Sequence, residues 1–542
     1  MLKNNEIYRA KVTGFTSEGL GVCRVEGWAV FVPNAAPDEE YDLRIVHVGK
    51  TSAWGRIVNI ITPSPARVNR ECPWSRQCGG CDFWHITYEA ECEIKRQRVL
   101  DALNRLGGQN LQDLKITGAK TCLGYRNKAQ FPVGPDKKGL TAGFYQKGTH
   151  DIIPIDKCLI QPDCADEART LVLDWARQYR IAPYDEKTHT GLLRHIFVRH
   201  AAGTGQVLVC LVINGRDIPH KRQLISLLLK IPRLTSVALN FNTRKGNAVL
   251  GNETSVIWGE EYIEDILCGL RFRISPRSFY QVNRDQAEIL YGKAVKAADL
   301  HGTETVLDLY CGTGTITLCM AKNAKQVIGV EVVDAAIRDA WENAKRNGIK
   351  NARFFCGDAG QAAKKLAEEG TEPQVIVVDP PRKGISADVI EAIDEMAPEK
   401  VVYVSCDPAT LARDVKLLCE KGYELKSAEA VDLFPRCSHV ETVVLLSKLM
   451  NAKHHIEVEL NMDELDLTAA ESKATYDEIK AYIKEQAGLS VSHLYIAQVK
   501  RKCGLEVGEN YNLPKSGDSR QPNCPPEKEK AIMDALRHFQ MI

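Results

Sequence analysis

The sequence has almost no net charge and no long apolar run. Its 542 residues include 71 Lys and Arg against 70 Asp and Glu, so any basic surface for a nucleic acid must be local. No run approaches the roughly 20 apolar residues of a membrane span. The first ten residues also lack the apolar core of a signal peptide. We therefore expect a soluble, cytoplasmic protein that has no membrane partner and for which no obligate protein partner is evident.

Internal repeats and low-complexity tracts are also missing, and the chain is too long for one hydrophobic core. Short alternating strands in residues 7–61, punctuated by glycines, predict a small OB-like β-barrel. Residues 120–270 mix strand and helix patterns, including a buried strand at 207–213. The predicted fold class is multidomain α/β. Its domains are an OB-like barrel (1–62), a cysteine-containing central α+β domain (63–270), a Rossmann-like domain (271–450) and a small helical appendage (451–542).

Apolar strands alternate with helical stretches from residue 305 onward. This alternation is typical of a doubly wound parallel sheet, which binds ligands at the carboxyl ends of its strands. The predicted strands are residues 306–309, 327–330, 375–378, 401–404 and 442–446.

The chain contains 18 cysteines, which in a protein without a secretion signal favours reduced thiols, metal ligands or catalysis. Cys72, Cys78 and Cys81 form a C-x5-C-x2-C pattern, and Cys158 lies further along the chain. Four thiolates can bind an iron–sulfur cluster or a structural zinc ion, and the spacing alone does not separate the two. A chance grouping is the third possibility.

A glycine-containing turn, Gly312-Thr313-Gly314, follows the first of these strands, and Glu331 ends the next. Glycines allow a ligand to approach the backbone, and a carboxylate at this spacing can accept both ribose hydroxyls. The third glycine of a dinucleotide fingerprint is missing, so a ligand with a ribose but no phosphates fits better. S-adenosylmethionine is such a ligand, although a tight turn could require the glycines for structural reasons alone.

Two further strands end in Asp379-Pro380-Pro381 and in Cys406, and Glu441 precedes the last strand. A thiol at a strand end is accessible, and its thiolate is a strong nucleophile. Asp379 can accept a hydrogen bond in the same crevice, and Glu441 can act there as a base. The plainer alternatives are a small core cysteine at 406, a turn at 379–381 and a solvated acid at 441.

Taken together, SFYQVN (278–283), VLDLYCGTGTITL (306–318), DPPRKG (379–384), SCDPATLARD (405–414) and HVE (439–441) resemble the RNA uracil-5-methyltransferases. The resemblance is to the branch with a TRAM domain and a 4Fe-4S cluster, and it covers residues 1 to about 450. It implies that Cys406 is the nucleophile and Glu441 the base. It further implies that S-adenosylmethionine is bound by Gln281, Tyr310, Glu331 and Asp379. The cluster would be bound by Cys72, Cys78, Cys81 and Cys158.

The implied reaction is C5-methylation of uridine in 23S ribosomal RNA through a covalent adduct between Cys406 and C6. A transfer-RNA uracil-5-methyltransferase is the alternative, and a methyltransferase for another RNA base is a more distant one. RNA contact is expected from the barrel and from a basic helix face with Lys95, Arg96 and Arg98. A basic helix end at Lys500–Lys502 could add contact, or it could simply be solvated.

Overall fold

The computed structural model describes residues 2–136, 139–246, 248–449, 476–503 and 524–539. The chain divides into two compact units, Met1–Asn451 and Ala452–Ile542. No helix among the described residues is long and apolar enough to cross a membrane.

The N-terminal part is a closed five-stranded barrel in the order β1-β2-β3-β5-β4. The strands are β1 (Ile7–Phe15), β2 (Gly21–Val25), β3 (Trp28–Val32), β4 (Glu40–Val48) and β5 (Ser52–Thr62). Alternate side chains such as Cys23, Val30 and Leu43 are fully buried inside it, as the period of two along a strand requires. The predicted barrel is therefore confirmed, and its last strand ends at Thr62, directly before Pro63.

The helix predicted to contain Lys95, Arg96 and Arg98 is α1 (Tyr88–Arg105). It begins at Tyr88 because the Thr87 hydroxyl accepts a hydrogen bond from Ala90 N at 3.3 Å, which satisfies an otherwise unpaired helix-start donor. The prediction that this helix presents a basic face to RNA is wrong. Lys95 is fully buried between Glu91 and Asp432.

The other two cations of that helix are also engaged within the protein. Arg96 forms ion pairs with Glu93 and Asp113, and Arg98 donates to the Ser438 carbonyl. Sequence periodicity placed these side chains on one helix, but it could not show which of them face acids on other elements.

The central part is a seven-stranded sheet in the order β13-β12-β11-β10-β7-β8-β9, flanked by two helices. Its strands are β7 (Lys128–Asp136), β8 (Gly139–Tyr145), β9 (Ile152–Pro154), β10 (Leu193–His200), β11 (Val207–Ile213), β12 (Leu234–Phe241) and β13 (Glu253–Gly259), and its helices are α2 (Asp163–Gln178) and α3 (Lys221–Leu228). The buried strand predicted at 207–213 is confirmed as β11, with every residue buried. Strand β6 (Lys115–Thr117), which precedes this sheet in the chain, pairs instead with the sheet described next.

The third part begins with a two-stranded ribbon, β14 (Ile263–Leu267) and β15 (Leu270–Ile274), followed by an eight-stranded sheet with helices. The sheet strands after β6 are β16 (Thr305–Asp308), β17 (Gln326–Glu331), β18 (Ala352–Cys356), β19 (Val375–Val378), β20 (Lys400–Ser405), β21 (Tyr423–Val431) and β22 (Glu441–Lys448). The helices are α4 (Arg284–Ala298), α5 (Thr315–Ala321), α6 (Asp334–Arg346), α7 (Ala359–Glu368), α8 (Ala387–Met396) and α9 (Pro408–Glu420).

The sheet order is β18-β17-β16-β19-β20-β22-β21-β6, and all five strands predicted from residue 305 onward are present. The prediction that the last of them joins a parallel sheet is wrong, because β22 is antiparallel to both neighbours, β20 and β21. The loop between β21 and β22 is too short for the crossover that a parallel connection requires. This reversal brings the first residue of β22 to the edge where the parallel strands end.

The second unit contains α10 (Tyr476–Ala487), α11 (His493–Lys502) and α12 (Pro526–His538), which share a small core that includes Ile483, Ile496 and Leu536. Residues 451–475 and 504–523 of the predicted helical appendage lie outside the described residues. At the predicted basic end of α11, Lys500 is buried, whereas Arg501 and Lys502 are exposed and Lys502 pairs with Glu529 at 2.7 Å. Contact of this helix end with RNA stays a prediction.

Candidate active site and four-cysteine cavity

Cys406 and Glu441 lie side by side at the carboxyl edge of the eight-stranded sheet. Ser405, the last residue of β20, pairs with Thr442 of β22. The next residue outward on β20 is Cys406, and the residue that precedes Thr442 is Glu441. The antiparallel register therefore places a thiol and a carboxyl group on adjacent strand ends.

Three acids converge at this edge, of which Glu441 and Asp308 are buried and Asp379 is part-buried. The pKa of Glu441 is raised to about 8, chiefly by burial and then by the charge of Asp379, while Arg382 opposes the rise. Burial and the charge of Asp308 raise the pKa of Asp379 to about 7. Burial also raises the pKa of Asp308 to about 6, although its carboxylate accepts a hydrogen bond from Thr317 Oγ1 at 2.6 Å. Like charges placed this close together, where burial already disfavours ionisation, cannot all ionise cheaply, so the pKa of each carboxyl group lies above its ordinary value.

The Cys406 thiol is half-buried in the same crevice. Burial is the main cause that raises its pKa to about 11, with further contributions from Glu441 and Asp379. Arg382 is the nearby cation that lowers it, and its Nη2 lies 3.1 Å from His439 Nε2. A thiolate at this position depends on that guanidinium, because the surrounding acids disfavour a second negative charge.

Arg382 is a residue that the sequence analysis did not single out. The sequence indicated Arg382 only through its position, because it directly follows Asp379-Pro380-Pro381 at a strand end that was predicted to line the crevice. Asp308 was missed as well, although it ends β16 in the same way that Glu331 ends β17.

The glycine turn after β16 has the conformation that a close-approaching ligand requires. Gly312 and Gly314 adopt positive φ values of 54° and 82°, which glycine adopts at little cost. A side chain at Gly312 would meet nothing within 4 Å, so the backbone there is open. Glu331 ends the neighbouring strand, and its Oε1 accepts a hydrogen bond from Val333 N at 2.9 Å.

Tyr310 and Gln281 lie in loops next to this turn and the ribbon. Tyr310 follows β16, and its backbone amide donates to Asp308 at 3.2 Å. Gln281 lies between β15 and α4, nearly buried, and its carbonyl accepts from Asn127 Nδ2 at 2.6 Å. That contact joins the loop between β15 and α4 to the residue that directly precedes β7. Contact of either side chain with a cofactor stays a prediction.

The loop that leads to Glu441, residues 432–440, is attached to the segment that contains the cysteines. Asp82 and Phe83 donate their backbone amides to Arg436 O at 2.7 and 3.1 Å. Asp82 also accepts from Ser438 N, and the Cys437 thiol donates to Gly80 O at 3.1 Å.

Helix α1 holds the start of the same loop from the other side. Lys95 Nζ donates to Asp432 at 2.7 Å and to Phe434 O at 3.1 Å, and Tyr88 OH donates to the second Asp432 oxygen at 2.7 Å. Glu91 accepts from Arg436 N at 2.7 Å. These buried charge-assisted contacts fix the loop more firmly than neutral ones do.

All four predicted ligand cysteines, Cys72, Cys78, Cys81 and Cys158, line one cavity of about 240 Å³. Arg126 and Lys128 line it too. Arg126 Nε is buried without a hydrogen-bond partner among the described residues. Burial and the neighbouring arginines lower the pKa of Lys128 to about 8. Part-buried cations without an ion pair among the described residues are costly, so this cavity suits an anionic group.

Within the described part of the chain, no three acidic, histidine or cysteine side chains are gathered closely enough to hold a single metal ion. The arrangement is therefore a wider ring of thiols beside two cations. Four thiolates around one cavity, with positive charge at its wall, fit a cluster with several metal atoms in chemistry and in donor number.

Comparisons with known proteins agree with this architecture. The tRNA (uracil-5-)-methyltransferase family profile matches residues 249–449, and the TRAM domain profile matches residues 2–58. An uncharacterised RNA methyltransferase of Halalkalibacterium halodurans is 44% identical over 82% of this chain and 98% of its own length. One of Clostridium tetani is 43% identical over 82% of this chain and 97% of its own length.

A similar solved structure is the tRNA (uracil-54, C5)-methyltransferase of Pyrococcus abyssi in complex with S-adenosyl-L-homocysteine. It is 25% identical, with a TM-score of 0.66, and the match covers 81% of this chain and all of that one. The similarity therefore extends from the barrel profile through the sheet that contains Cys406 and Glu441.

Proposed function

This chain belongs to the RNA uracil-5-methyltransferase family and is an S-adenosylmethionine-dependent RNA methyltransferase, and we propose that it methylates C5 of a uridine in 23S ribosomal RNA through a covalent Cys406 adduct. The observation that supports this most directly is the pairing of Ser405 with Thr442, which sets Cys406 beside Glu441. A nucleophile and a base on adjacent strand ends can act on neighbouring atoms of one ring.

In this mechanism the Cys406 thiolate adds to C6 of the uracil. The electrons of the C5–C6 double bond then form an enolate whose nucleophilic carbon is C5. C5 then takes the methyl group from S-adenosylmethionine, which leaves as S-adenosylhomocysteine. Glu441 removes the C5 proton, and the returning electrons expel the Cys406 thiolate. The pKa of Glu441 near 8 suits a base that must accept a proton near neutral pH.

The uridine must be unpaired or rotated out of any helix to reach this crevice, at a cost of a few kcal/mol. We assign residues 1–62 to RNA binding because the barrel matches the TRAM profile. For the methyl donor we propose Gln281, Tyr310, Glu331 and Asp379. Support comes from the open glycine turn at Gly312 and from the carboxylate at the end of β17.

The nucleophile is tested by incubating the enzyme, cofactor and RNA with 5-fluorouridine at the target site. Fluorine replaces the proton that Glu441 must remove, so wild-type protein should form an adduct that survives denaturation. Cys406→Ala should form none, whereas Cys356→Ala, which removes an exposed thiol on β18, should behave as wild type. Equal adduct in wild type and Cys406→Ala would reject the assignment.

The base is tested with ordinary RNA. The Glu441→Gln variant should still form the Cys406 adduct and methylate C5, but it has no base to remove the C5 proton. A methylated adduct should therefore accumulate. An adduct without a methyl group would place Glu441 at another step.

We further propose that Cys72, Cys78, Cys81 and Cys158 hold a 4Fe-4S cluster. Methylation needs no electrons, so the cluster would fix the geometry of two distant chain segments. Anaerobically purified protein should contain iron and sulfide, and Cys78→Ser should lose both while Cys356→Ser retains them. Stoichiometric zinc without iron would contradict the proposal.

Two RNA classes compete as the substrate. The resemblance to the TRAM and cluster branch favours ribosomal RNA, whereas the similar Pyrococcus abyssi enzyme acts on uracil 54 of tRNA. Purified enzyme should label unmodified 23S ribosomal RNA fragments at one or two uridines. Labelling of the T-loop of transfer RNA, with none in ribosomal RNA, would decide for the alternative. Methyl transfer that persists in Cys406→Ala would indicate that the methyl acceptor is an RNA base other than uracil.

A further inference from the structure

An open, polar cavity of about 630 Å³ lies in the segment that follows the barrel, outside the catalytic edge. Its lining residues are Arg67, Val68, Asn69, Arg70, Cys72, Pro73, Arg76 and His85. Two of its arginines contact the barrel, since Arg70 Nη2 donates to Asn34 Oδ1 at 2.8 Å and Arg67 Nη2 donates to Asn34 O at 3.0 Å.

The positive charge of this cavity is only partly neutralised by the protein. Arg67 is neutralised, because its guanidinium forms two hydrogen bonds of 2.6 Å with Glu39. Arg70 contacts neutral partners, Asn34 and the Ser75 hydroxyl at 3.5 Å. The exposed side chain of Arg76 forms no ion pair within the parts of the chain that the structure describes. Glu71 is not among the lining residues, so two cations face the cavity without a carboxylate.

Three guanidinium groups, those of Arg67, Arg70 and Arg76, line this one cavity. His85 adds no charge, because burial lowers its pKa to about 4 and its Nε2 lies 2.8 Å from Ala35 O. The crowded guanidinium groups therefore repel one another, and an anion would relieve that repulsion.

The side-chain types determine which anion fits. Arginine forks and the Asn69 amide are suited to phosphate oxygens, to which guanidinium groups donate two parallel hydrogen bonds. His85 is the only aromatic ring in the lining and is 1% exposed, so the cavity offers no surface on which a base could stack. Contacts of this kind position a nucleic acid without reading its sequence.

We propose that Arg70 and Arg76 bind two backbone phosphates of the substrate RNA in this cavity, a contact site separate from the catalytic crevice. The proposal rests on the proposed function, because it takes RNA as the substrate. It also supplies the local basic surface that the near-zero net charge demanded and that Lys95, Arg96 and Arg98 do not provide. The RNA strand next to the target loop would pass over this cavity, beside the barrel.

The test compares RNA binding by wild type and by the double variant Arg70→Gln/Arg76→Gln over a range of salt concentrations. Each phosphate contact contributes about 0.7 to 0.9 to the slope of log affinity against log salt. The slope of the variant should therefore be smaller by about 1.4 to 1.8. Its KM for 23S ribosomal RNA fragments should rise several-fold, while kcat and the Kd for S-adenosylmethionine stay unchanged.

The matched control is Arg105→Gln/Arg216→Gln, which removes two exposed arginines elsewhere, with side chains 78% and 71% exposed. Its slope should equal that of wild type. Arg70→Lys/Arg76→Lys keeps both charges and should restore the slope, whereas a loss of the Asn34 or Ser75 contacts would not be rescued by lysine. A wild-type slope in the Gln double variant, or an equal loss in the Lys and Gln variants, would overturn the proposal.

Adduct formation with 5-fluorouridine RNA separates this proposal from the proposed function. At saturating RNA the Gln double variant should form as much adduct as wild type. If wild type itself forms no adduct, the proposed function fails. If the adduct forms but the slope does not change, only the phosphate site fails.

Discussion

Asp82 Oδ2 accepts a hydrogen bond from Ser438 N at 3.1 Å, which joins the four-cysteine segment to the loop that leads to Glu441. Only two residues separate Ser438 from Glu441. In the same segment, Gly80 O accepts a hydrogen bond from the Cys437 thiol, and the backbone amides of Asp82 and Phe83 donate to Arg436 O. The position of the proposed base therefore depends on residues 80–83, which lie within and directly after the predicted ligand pattern.

Loss of the Asp82 carboxylate should slow the step that Glu441 performs. We expect Asp82→Ala to lower kcat by about tenfold, the equivalent of one hydrogen bond near 1.4 kcal/mol, with an unchanged KM for S-adenosylmethionine. A methylated adduct should persist longer on ordinary RNA, which a general loss of stability would not produce. Single-turnover kinetics with gel analysis of the adduct would measure both.

Two variants control for the other roles of Asp82. Its other oxygen accepts from Lys147 at 3.0 Å, so Lys147→Ala should leave kcat unchanged. Asp82→Asn keeps an oxygen that can accept from Ser438 N and should recover most of the activity. An unaltered kcat in Asp82→Ala would show that the loop is held without this contact.

Lys95→Met should strongly destabilise the protein. Lys95 is 0% exposed between Glu91 and Asp432, and its removal leaves two buried carboxylates without a cation, at a cost of about 3–5 kcal/mol. Arg96→Met, one residue further on, removes pairs in which the acids are 59% and 76% exposed, so its effect should stay within about 1 kcal/mol. Thermal unfolding of both variants measures the difference, and equal midpoints would contradict it.

The rate of adduct resolution should rise with pH. Glu441 accepts the C5 proton only when it is ionised, and burial raises its pKa to about 8. Below that pH the rate should increase about tenfold per unit and then level off. Wild-type adduct formed at one pH and then shifted across pH 6 to 9 would show the profile. A profile that is flat above pH 5 would mean that another group takes the proton.

The same pKa shift predicts a pH-dependent stability difference for Glu441→Gln. The folded-state pKa lies above the unfolded value of about 4.3, so wild type loses stability as pH rises from there through about 8. The amide does not titrate. Thermal midpoints should therefore favour Glu441→Gln increasingly between pH 5 and pH 8, and a constant difference would contradict the burial of this carboxyl.

Arg382→Gln should slow adduct formation near neutral pH. Arg382 lowers the pKa values of both Cys406 and Glu441, so its loss makes the thiolate rarer and moves both pH profiles to higher pH. Arg382→Lys keeps the charge and should recover part of the rate. The adjacent exposed Lys383 serves as the control, since Lys383→Gln should react as wild type. Rates of 5-fluorouridine adduct formation at several pH values would test this.

Local patterns in the sequence determined the elements and the candidate residues. Strand periodicity predicted the barrel and five strands of the large sheet, β16, β17, β19, β20 and β22, because alternation and apolar runs are properties of neighbouring residues. The turn and strand-end positions of Gly312, Glu331, Asp379 and Cys406 also followed from local sequence. The spacing of Cys72, Cys78 and Cys81 is likewise a property of the local sequence.

Only the tertiary structure decided how distant segments meet. The antiparallel direction of β22 sets Glu441 beside Cys406, and nothing local in either segment specifies that register. Lys95 looked like a surface cation because its burial depends on Asp432, which lies 337 positions away. The contacts of Arg70 and Arg67 with Asn34 of the barrel likewise join residues that are 36 and 33 positions apart. Burial and electrostatics depend on contacts distant in sequence, so charge pairing, pKa values and the crevice followed from the fold.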